Sequence, residues 1–228
     1  MEKKFYLFIF AEPLETEQLR IKYSKHLKQI KIDFENNFQN LYELNWNNKQ
    51  ILLAHCGVGK TNSALMLSYL LTKFNILKVI NIGPAISIFN GSVGDIYCIQ
   101  NCKYYDVNLT ALPNYKIGQL PSLQDVFHCN QDLKICSNFK KANIITGDSF
   151  INKSIINSNI LDWNTNNLLG DMECCSLAHT SFIFGKPFYS FKVISDCLDS
   201  NNNLEYRQSK AIWELKIIDI FKDILGEL

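Results

Sequence analysis

Short apolar runs alternate with longer amphipathic segments along most of this chain. The short runs are rich in β-branched and aromatic residues and are bounded by turn residues, a pattern that predicts β-strands. The longer segments repeat apolar residues at helical spacing, which predicts helices packed on a core. The predicted strands are Phe5–Phe10, Ile51–His55, Val79–Ile82, Ile96–Gln100, Asn143–Thr146 and Phe188–Ile194, and the predicted helices are Thr61–Phe74, Cys174–Phe184 and Ala211–Leu225.

This alternation favours an α/β fold with a mostly parallel or mixed sheet between layers of helices. The chain has 228 residues, of which 47% are hydrophobic, enough to bury one sizeable core. We therefore expect a single domain that spans residues 1–228. Ligands of such sheets bind beyond the carboxyl ends of the strands, so residues that follow strands are the candidates for function.

The charge balance argues against a nucleic-acid partner. Lysine and arginine number 23 against 22 acidic residues, a formal net charge of +1, whereas nucleic-acid binders carry a strongly basic face. A small molecule is therefore the expected ligand. Cys98 and Cys102 are four residues apart with no matching cysteine or histidine pair, so their spacing does not favour a zinc site.

The amino-terminal residues have some features of a secretion signal. Lys3 and Lys4 precede the apolar run Phe5–Ala11. That run is short for a signal peptide, and Glu12-Pro13 follows where small residues should mark the cleavage site. We therefore expect a buried first strand and a cytoplasmic protein whose eight cysteines are reduced. No apolar run approaches the roughly 18 residues of a membrane helix, so no membrane partner is expected.

One segment is typical of a nucleotide phosphate loop but departs from it at one position. Residues 51–61 predict a strand, a glycine turn and then Gly59-Lys60-Thr61 at the start of a helix. The G-x-x-x-x-G-K-[ST] pattern needs its first glycine at Ala54, where the backbone must curl around phosphates. We therefore interpret the segment as a tight strand-to-helix turn with a solvated Lys60.

Two carboxylates near strand ends suggest a site. Glu173 lies in the stretch Gly170–His179, where a strand gives way to a helix, and Asp196 ends the apolar stretch Lys192–Asp196. Taken alone, an aspartate after a strand is often a helix N-cap. The motifs around these two residues favour the functional interpretation.

The chain contains a series of short motifs in one order: Ala11–Glu15, His55–Lys60, Tyr104–Ala111, Gly118–Pro121, Gly147–Ile151, Met172-Glu173 and Ser195-Asp196. Together, and over most of the chain, they resemble the 5′-methylthioadenosine/S-adenosylhomocysteine nucleosidases of the nucleoside phosphorylase superfamily. The first is similar to the strand exit with the family's catalytic glutamate, the second to its Ser-Gly-Ile-Gly-Lys turn, and the next two to its substrate-capping segment. The last three resemble its Gly-Asp-(Ala/Ser)-Phe-Ile element, its ribose-binding pair and its purine-binding pair. The resemblance implies a three-layer α/β/α fold with a central mixed sheet.

The resemblance also implies hydrolysis of an N-glycosidic bond by three acidic residues. Cleavage builds positive charge on the ribose, delivers a proton to the leaving adenine and needs an aimed water. Asp196 would protonate adenine N7 and would be oriented by Ser195. Glu15, or Glu12 if the register differs, would activate the water. Glu173 would bind the ribose hydroxyls and stabilise the cation.

The substrate contacts follow from the same resemblance. Phe150 would stack on adenine, the Ile151 backbone would read the edge of the base, and Met172 would line the ribose. An apolar pocket for the 5′-alkylthio group would be formed by Leu109, Leu112 and Tyr115.

Two positions depart from the family pattern. The family has Gly-Ser-Ala-Gly-Gly where this chain has Gly83-Pro84-Ala85-Ile86-Ser87, so Pro84 supplies neither a backbone donor nor a hydroxyl for a water. Lys192 stands in place of an arginine of the substrate site, which keeps the charge but loses the planar fork. Neither change removes a proposed acid or base, so an active enzyme is expected.

Two alternative functions remain open. A purine nucleoside phosphorylase would need an anion clamp, preferably of arginine, and the chain has only Arg20 and Arg207. A nucleoside-binding homologue without turnover would result if the changes at Pro84 and Lys192 were disabling. The favoured interpretation is a cytoplasmic nucleosidase that acts on a small nucleoside, needs no metal or other cofactor, and forms a homodimer by resemblance.

Overall fold

A computed structural model describes residues 3–34, 40–156, 163, 167–198 and 202–228. The strands are β1 (Lys4–Phe10), β2 (Leu27–Ile30), β3 (Asn40–Trp46), β4 (Lys49–His55), β5 (Asn75–Phe89), β6 (Ile96–Tyr104), β7 (Phe127–His128), β8 (Lys140–Thr146), β9 (Leu168–Asp171) and β10 (Phe188–Cys197). The helices are α1 (Glu17–Lys22), α2 (Lys60–Lys73), α3 (Cys174–Ile183), α4 (Asn202–Gln208) and α5 (Lys210–Glu227), with 3₁₀ turns at Pro13–Thr16 and Lys134–Asn138.

The described strands form one mixed sheet, as predicted. Their order is β10-β6-β8-β9-β5-β1-β4-β3-β2, with β7 paired to β6. β10 also pairs in parallel with β5. The strands β5, β10, β6, β8 and β9 therefore close into a ring, while β1, β4, β3 and β2 extend from it as an open sheet. The sequence pattern did not predict this closure.

Helices cover both faces of the sheet, which confirms the three-layer fold. Alternate side chains of β1 enter different cores: Leu7 and Ile9 pack with residues of α2 and α3, whereas Phe8 and Phe10 pack with residues of α1 and α5. This alternation is the period of two expected of a strand buried on both faces. None of the described helices is long and apolar enough to cross a membrane.

Strand β5 is much longer than the predicted Val79–Ile82. It continues through Gly83 and Pro84 to Phe89. Pro84 is tolerated because it pairs only with β10: the pairing with β1 ends at Asn81, and the pairing with β9 begins at Ile86. A proline in a strand is acceptable where a neighbouring strand is absent, since its missing N–H then breaks no ladder.

The predicted helices agree with the structure to within two residues at each end. The pattern missed α1, α4 and the strands β2, β3, β7 and β9, which are short or carry many polar residues. Four register shifts also escaped it, among them a bulge in β6 between Ile99 and Asn101 and one in β10 between Ile194 and Asp196. A bulge inserts an unpaired residue and redirects the side chains that follow.

Candidate active site

A cavity of about 220 Å³ opens where β1, β5, β9 and β10 end. This is the edge at which α/β sheets bind ligands. Seven of the eleven predicted site residues line it, together with the alternative base Glu12, and Lys192, Leu109, Leu112 and Tyr115 do not. The lining residues are Ala11, Glu12, Glu15, Val58, Pro84, Ala85, Ile86, Ser149, Phe150, Ile151, Gly170, Asp171, Met172, Glu173, Ser195, Asp196 and Tyr206.

Lys192 is a predicted site residue that is buried behind the cavity wall. It does not line the cavity, but its side chain lies next to Glu15. An ideal Cβ on Gly83 would be 3.6 Å from Lys192 Nζ and 3.6 Å from Glu15 Oε2. Gly83 is also the β5 partner of Lys192 in the sheet register. A Cβ at this position would meet both groups at ordinary van der Waals distance, so the ammonium and the carboxylate lie on the same side of Gly83.

Glu15 is held by the turn that follows β1. Pro13–Thr16 form a 3₁₀ turn, in which the Glu15 amide donates to the Glu12 carbonyl at 3.1 Å. The Ala11 amide donates to Glu15 Oε2 at 3.0 Å, and Glu15 is buried. Glu12 also lines the cavity but is only half-buried. The deeper position and the fixed carboxylate favour Glu15 over Glu12 as the working residue.

Glu173 is positioned by the turn that resembles a phosphate loop. It immediately precedes α3 and is buried. The Gly59 amide, at the start of α2, donates to Glu173 Oε1 at 2.9 Å. Gly59 has φ +95°, and a Cβ there would lie 3.0 Å from Asp148 Oδ1. The glycine turn thus donates a backbone hydrogen bond to a protein carboxylate, whereas the turn of a phosphate loop would bind a phosphate.

Lys192 forms a buried ion pair that the sequence analysis did not identify. Its Nζ lies 2.8 Å from Asp171 Oδ2, and both side chains are about 2% exposed. Asp171 also accepts hydrogen bonds from the Thr146 hydroxyl at 2.6 Å and from the Cys174 amide at 2.9 Å. The pair joins the middle of β10 to the end of β9, and the bond from Thr146 adds the end of β8. The signal that could have revealed Asp171 was its place beside Met172-Glu173 at a strand end.

The bulge in β10 explains how Ser195 and Asp196, neighbours on one strand, both reach the cavity. The Ser195 hydroxyl is 2.6 Å from Asp196 Oδ1 and 3.2 Å from the Ala85 carbonyl, so it can donate to either. Asp196 Oδ2 is buried and has no hydrogen-bond partner among the described residues. Because an unpaired buried oxygen lowers the stability of the fold, we expect this atom to bond with a hydrogen-bonding group of a ligand.

Burial favours the protonated forms of the three carboxylates of the site, Glu15, Glu173 and Asp196. Burial raises the pKa of Glu15 to about 8; the charge of Glu173 adds to the rise and Lys192 opposes it. Burial, with the charge of Asp171, raises the pKa of Glu173 to about 7. Burial also raises the pKa of Asp196 to about 6, against the hydrogen bond from Ser195. All three groups can therefore exchange protons near neutral pH.

Aromatic and apolar groups form the remaining walls. Phe150 lines the cavity with 43% of its surface exposed, and its ring meets Tyr206 edge-on at 6.4 Å. Tyr206, from α4, also stacks on Trp213 at 5.7 Å. Ile151 is buried and Met172 half-buried. A flat aromatic ligand would thus find aromatic rings in the cavity that also contains the Ser195-Asp196 pair. Tyr206 was not among the predicted site residues, because α4 itself was not predicted.

Lys60 is paired with carboxylates rather than solvated. Its Nζ is 2.6 Å from Asp106 Oδ2 and 3.7 Å from Asp148 Oδ2, and its amide donates to Asp148 Oδ1 at 2.7 Å. The Asp148 amide in turn donates to Asp106. Lys60 therefore ties α2 to the turn that carries Phe150 and Ile151. The occupied ammonium also disfavours the phosphate-loop interpretation.

The segment predicted to form a 5′-alkylthio pocket lies outside the cavity in this single chain. The Gly118 amide donates to the Val107 carbonyl at 2.8 Å, which folds the segment back on itself beside β6. Leu112 is 51% exposed there. Leu109 and Tyr115 belong to the same folded segment and do not line the cavity of this chain either, so the 5′-alkylthio pocket stays a prediction.

This arrangement can perform acid–base chemistry on a polar ligand. A buried carboxyl with an unpaired oxygen lines the cavity from β10, and two further carboxylates, Glu15 and Glu173, line it from other segments. Paired groups with pKa values near neutrality are the hallmark of acid and base roles.

Comparison with known proteins identifies relatives of the whole chain. The Phosphorylase superfamily profile matches residues 11–225. A 5′-methylthioadenosine/S-adenosylhomocysteine nucleosidase of Exiguobacterium is 32% identical over 202 residues, which cover 82% of this chain and 86% of the relative. The same enzyme of Helicobacter pylori, solved with butyl-thio-DADMe-Immucillin-A, superposes over 100% of both chains with a TM-score of 0.88 at 20% identity.

The fold is shared with a second kind of hydrolase. The futalosine hydrolase of Helicobacter pylori superposes over 99% of this chain and 98% of its own chain, with a TM-score of 0.87 at 20% identity. Structural likeness at these identities therefore shows the fold and does not choose between substrates.

Proposed function

The chain belongs to the phosphorylase superfamily and, within it, to the 5′-methylthioadenosine/S-adenosylhomocysteine nucleosidases, and from that premise we propose how its cavity works. The protein is a hydrolase that cleaves the N-glycosidic bond of methylthioadenosine, S-adenosylhomocysteine or both, releasing adenine and a 5-thioribose derivative. The observation that carries the proposed mechanism is the bare, buried Oδ2 of Asp196 in a cavity shared with Glu15 and Glu173.

Asp196 is proposed to protonate the leaving adenine. In its protonated form its free Oδ2 can donate to N7, while Oδ1 accepts from Ser195. Burial already raises its pKa to about 6, and a bound base that excludes water would raise it further. The ring of Phe150 would stack on the purine, and the Ile151 backbone would read its edge, in line with their places on the cavity wall.

Glu15 and Glu173 are proposed to act on the ribose side. Glu15 would take a proton from the attacking water, and Glu173 would bind the ribose hydroxyls and stabilise the developing cation, with Met172 against the sugar. The backbone bonds from Ala11 and Gly59 hold the two carboxylates in place. Such fixed groups stabilise charge without reorganisation during the reaction.

The reaction class is tested by incubating the purified protein with each thionucleoside in phosphate-free buffer. Free adenine and a free thioribose are the expected products, because a buried carboxylate can activate water without phosphate. A strict requirement for phosphate, with a sugar 1-phosphate as product, would exclude hydrolysis. Futalosine in a parallel incubation serves as the matched alternative substrate, and its preferred cleavage would contradict the assigned substrate class.

Lys192→Met is expected to destabilise the fold by about 3–5 kcal/mol, because it leaves the Asp171 carboxylate buried without a cation. Although burial works against its charge, Asp171, the Cys174 thiol and Glu173 hold the pKa of Lys192 above its usual value. Urea denaturation at neutral pH measures the loss. Lys192→Arg is the matched control and should retain most of the stability, since it keeps the charge. Equal stability of Lys192→Met and the parent would show that Asp171 is not charged.

Lys60→Met is expected to raise KM by about three- to tenfold, since partly exposed ion pairs are worth up to about 1 kcal/mol each. The loss of the ties to Asp106 and Asp148 should loosen the turn that carries Phe150, while kcat changes little. Steady-state kinetics with methylthioadenosine check this. Lys140→Met is the control, because it breaks the 3.2 Å pair with Asp95 on the surface. An unchanged KM in Lys60→Met would remove Lys60 from substrate positioning.

We further propose that residues 1–228 form one catalytic domain and that two copies pair as a homodimer. The described strands join one sheet, which supports a single domain. Large apolar side chains exposed on α2, α3 and the segment after β6, namely Leu65, Leu112, Phe182 and Ile183, offer a surface for a second copy. Sedimentation equilibrium tests the proposal, and a monomer at micromolar concentration would contradict it.

We also propose that the enzyme works in the cytoplasm. None of its eight cysteines, all of which the structure describes, forms a disulfide, and reducing compartments maintain that state. Detection of the native protein in the cytosolic fraction of its cell would be the expected result.

A further inference from the structure

Three cysteines that are far apart in sequence meet in the core. The Sγ atoms of Cys102, Cys129 and Cys174 all lie within 4.8 Å of one another. Cys102 belongs to β6, Cys129 follows β7, and Cys174 is the first residue of α3. All three are buried free thiols. Three separate elements therefore direct sulfur atoms at one point between the sheet and α3.

The two cysteines of β6 do not both belong to this cluster. Cys98 and Cys102 are four residues apart on β6, which would place them on the same face of a regular strand. The bulge between Ile99 and Asn101 reverses that alternation. Cys98 consequently packs in the core beneath α5, and Cys102 packs in the core beneath α3. The fold thus separates Cys98 from Cys102 and brings Cys102 together with Cys129 and Cys174.

The separation of the three sulfurs suits a single metal ion. Sulfur ligands about 2.3 Å from an ion stand roughly 4 Å apart around it, so the cluster can close on an ion through small side-chain movements. Thiolates are the ligands that Cu(I) and Zn(II) select over harder cations. The Ser190 hydroxyl lies 3.3 Å from Cys174 Sγ, and the Cys175 thiol contacts Cys102. Either could complete a four-coordinate shell.

The thiols of the cluster differ in how easily they ionise. Burial opposes ionisation of Cys174, but contacts with the Cys102 and Cys129 thiols and the charge of Lys192 hold its pKa well below the usual value. Burial, together with neighbouring thiols, raises the pKa of Cys102 well above its usual value. Binding of a metal must therefore displace thiol protons to solvent, and affinity should fall as the pH falls.

We propose that Cys102, Cys129 and Cys174 form a binding site for one thiophilic metal ion of the Cu(I), Zn(II) and Cd(II) class. The site is separate from the substrate cavity, and the proposal does not depend on the nucleosidase reaction. Cys174 directly follows Glu173, so an ion in the cluster would sit one residue from the ribose side of that cavity.

The test uses the full chain, purified without oxygen, and Cd(II) alone as the probe. Titration should produce an ultraviolet thiolate-to-metal charge-transfer band that saturates at one equivalent. Cys129→Ala should weaken binding by at least about 100-fold, because even outer partners of a metal ligand are worth about 10- to 100-fold. Cys136→Ala is the matched control, since it removes a buried thiol from the opposite core and should leave the band intact.

Two results would overturn the proposal. One is a parent protein that develops no charge-transfer band with stoichiometric Cd(II). The other is equal affinity in Cys129→Ala and the parent, which would place the ion elsewhere. If Cys129→Ala fails to fold, Cys102→Ser provides the same test, because the smaller hydroxyl keeps the volume of the site nearly filled while removing a soft ligand.

Discussion

Asp196→Asn is expected to slow adenine release by about 10²- to 10⁴-fold, the usual worth of a general acid. The amide has nearly the shape of the acid and can still accept from Ser195, but it cannot deliver a proton to N7. Turnover of methylthioadenosine in phosphate-free buffer measures the loss. Asp33→Asn, which changes an exposed carboxylate, should behave like the parent.

A change of leaving group separates proton delivery from a structural role of Asp196. In a 4-nitrophenyl thioriboside, cleavage of the bond between C1′ and oxygen releases 4-nitrophenolate, a leaving group that departs as an anion and needs no proton. If Asp196 is the acid, the Asp196→Asn variant should cleave this substrate at close to the parental rate. A loss as large as that with methylthioadenosine would mean that the substitution damages the site in another way.

The pH profiles of the parent and of Asp196→Asn can distinguish the acid from the base. The active form needs Glu15 and Glu173 ionised and Asp196 protonated, and their pKa values are about 8, about 7 and about 6. For the parent, kcat/KM should therefore rise up to pH 7, stay level between 7 and 8, and fall above 8. Residual activity of Asp196→Asn should instead rise through pH 8, because only the two glutamates then titrate and Glu15 ionises last. A rise through pH 6 in this variant would contradict the assignment of the higher pKa to Glu15.

Glu15→Gln is expected to lose about 10²- to 10⁴-fold in turnover, because the amide cannot take a proton from the attacking water. Azide needs no base to attack, so it should partly restore cleavage in Glu15→Ala, where it also finds space. The same anion should not rescue Asp196→Asn, whose defect lies at the leaving group. A failure of azide to rescue Glu15→Ala would argue that Glu15 does not activate the water.

The same Glu15→Gln substitution should stabilise the fold at high pH. Burial raises the pKa of Glu15 from 4.5 to about 8, so the folded state binds this proton more tightly than the unfolded state. The cost of ionising the buried carboxyl is absent below pH 4.5, grows as the pH rises towards 8 and is complete above it. Urea denaturation should show Glu15→Gln more stable than the parent by a few kcal/mol at pH 9 and equal to it at pH 4. Parallel stability curves would contradict the raised pKa.

Much of the site followed from short-range sequence features. The turn after β1, the Gly59 turn and the Met172-Glu173 and Ser195-Asp196 pairs each contain their functional residue within a few positions of a strand end. Local sequence determines such turns, because glycine and proline restrict or extend the backbone angles there. The order of these motifs also predicted the family and the mixed α/β/α fold, which the comparisons confirm.

The sequence by itself thus determined the fold class, the family and the edge of the sheet that carries the site. Only the tertiary structure decided which side chains meet there: Lys192 with Asp171, Lys60 with Asp106, and Tyr206 opposite Phe150. These contacts join segments from different parts of the chain, and two bulges change which face of β6 and β10 their residues occupy. Hydrophobic periodicity reports only which residues are buried, because the pattern is the same whichever partner lies opposite. The partner of each buried charge therefore depends on strand order and register, which the packing of the whole sheet determines.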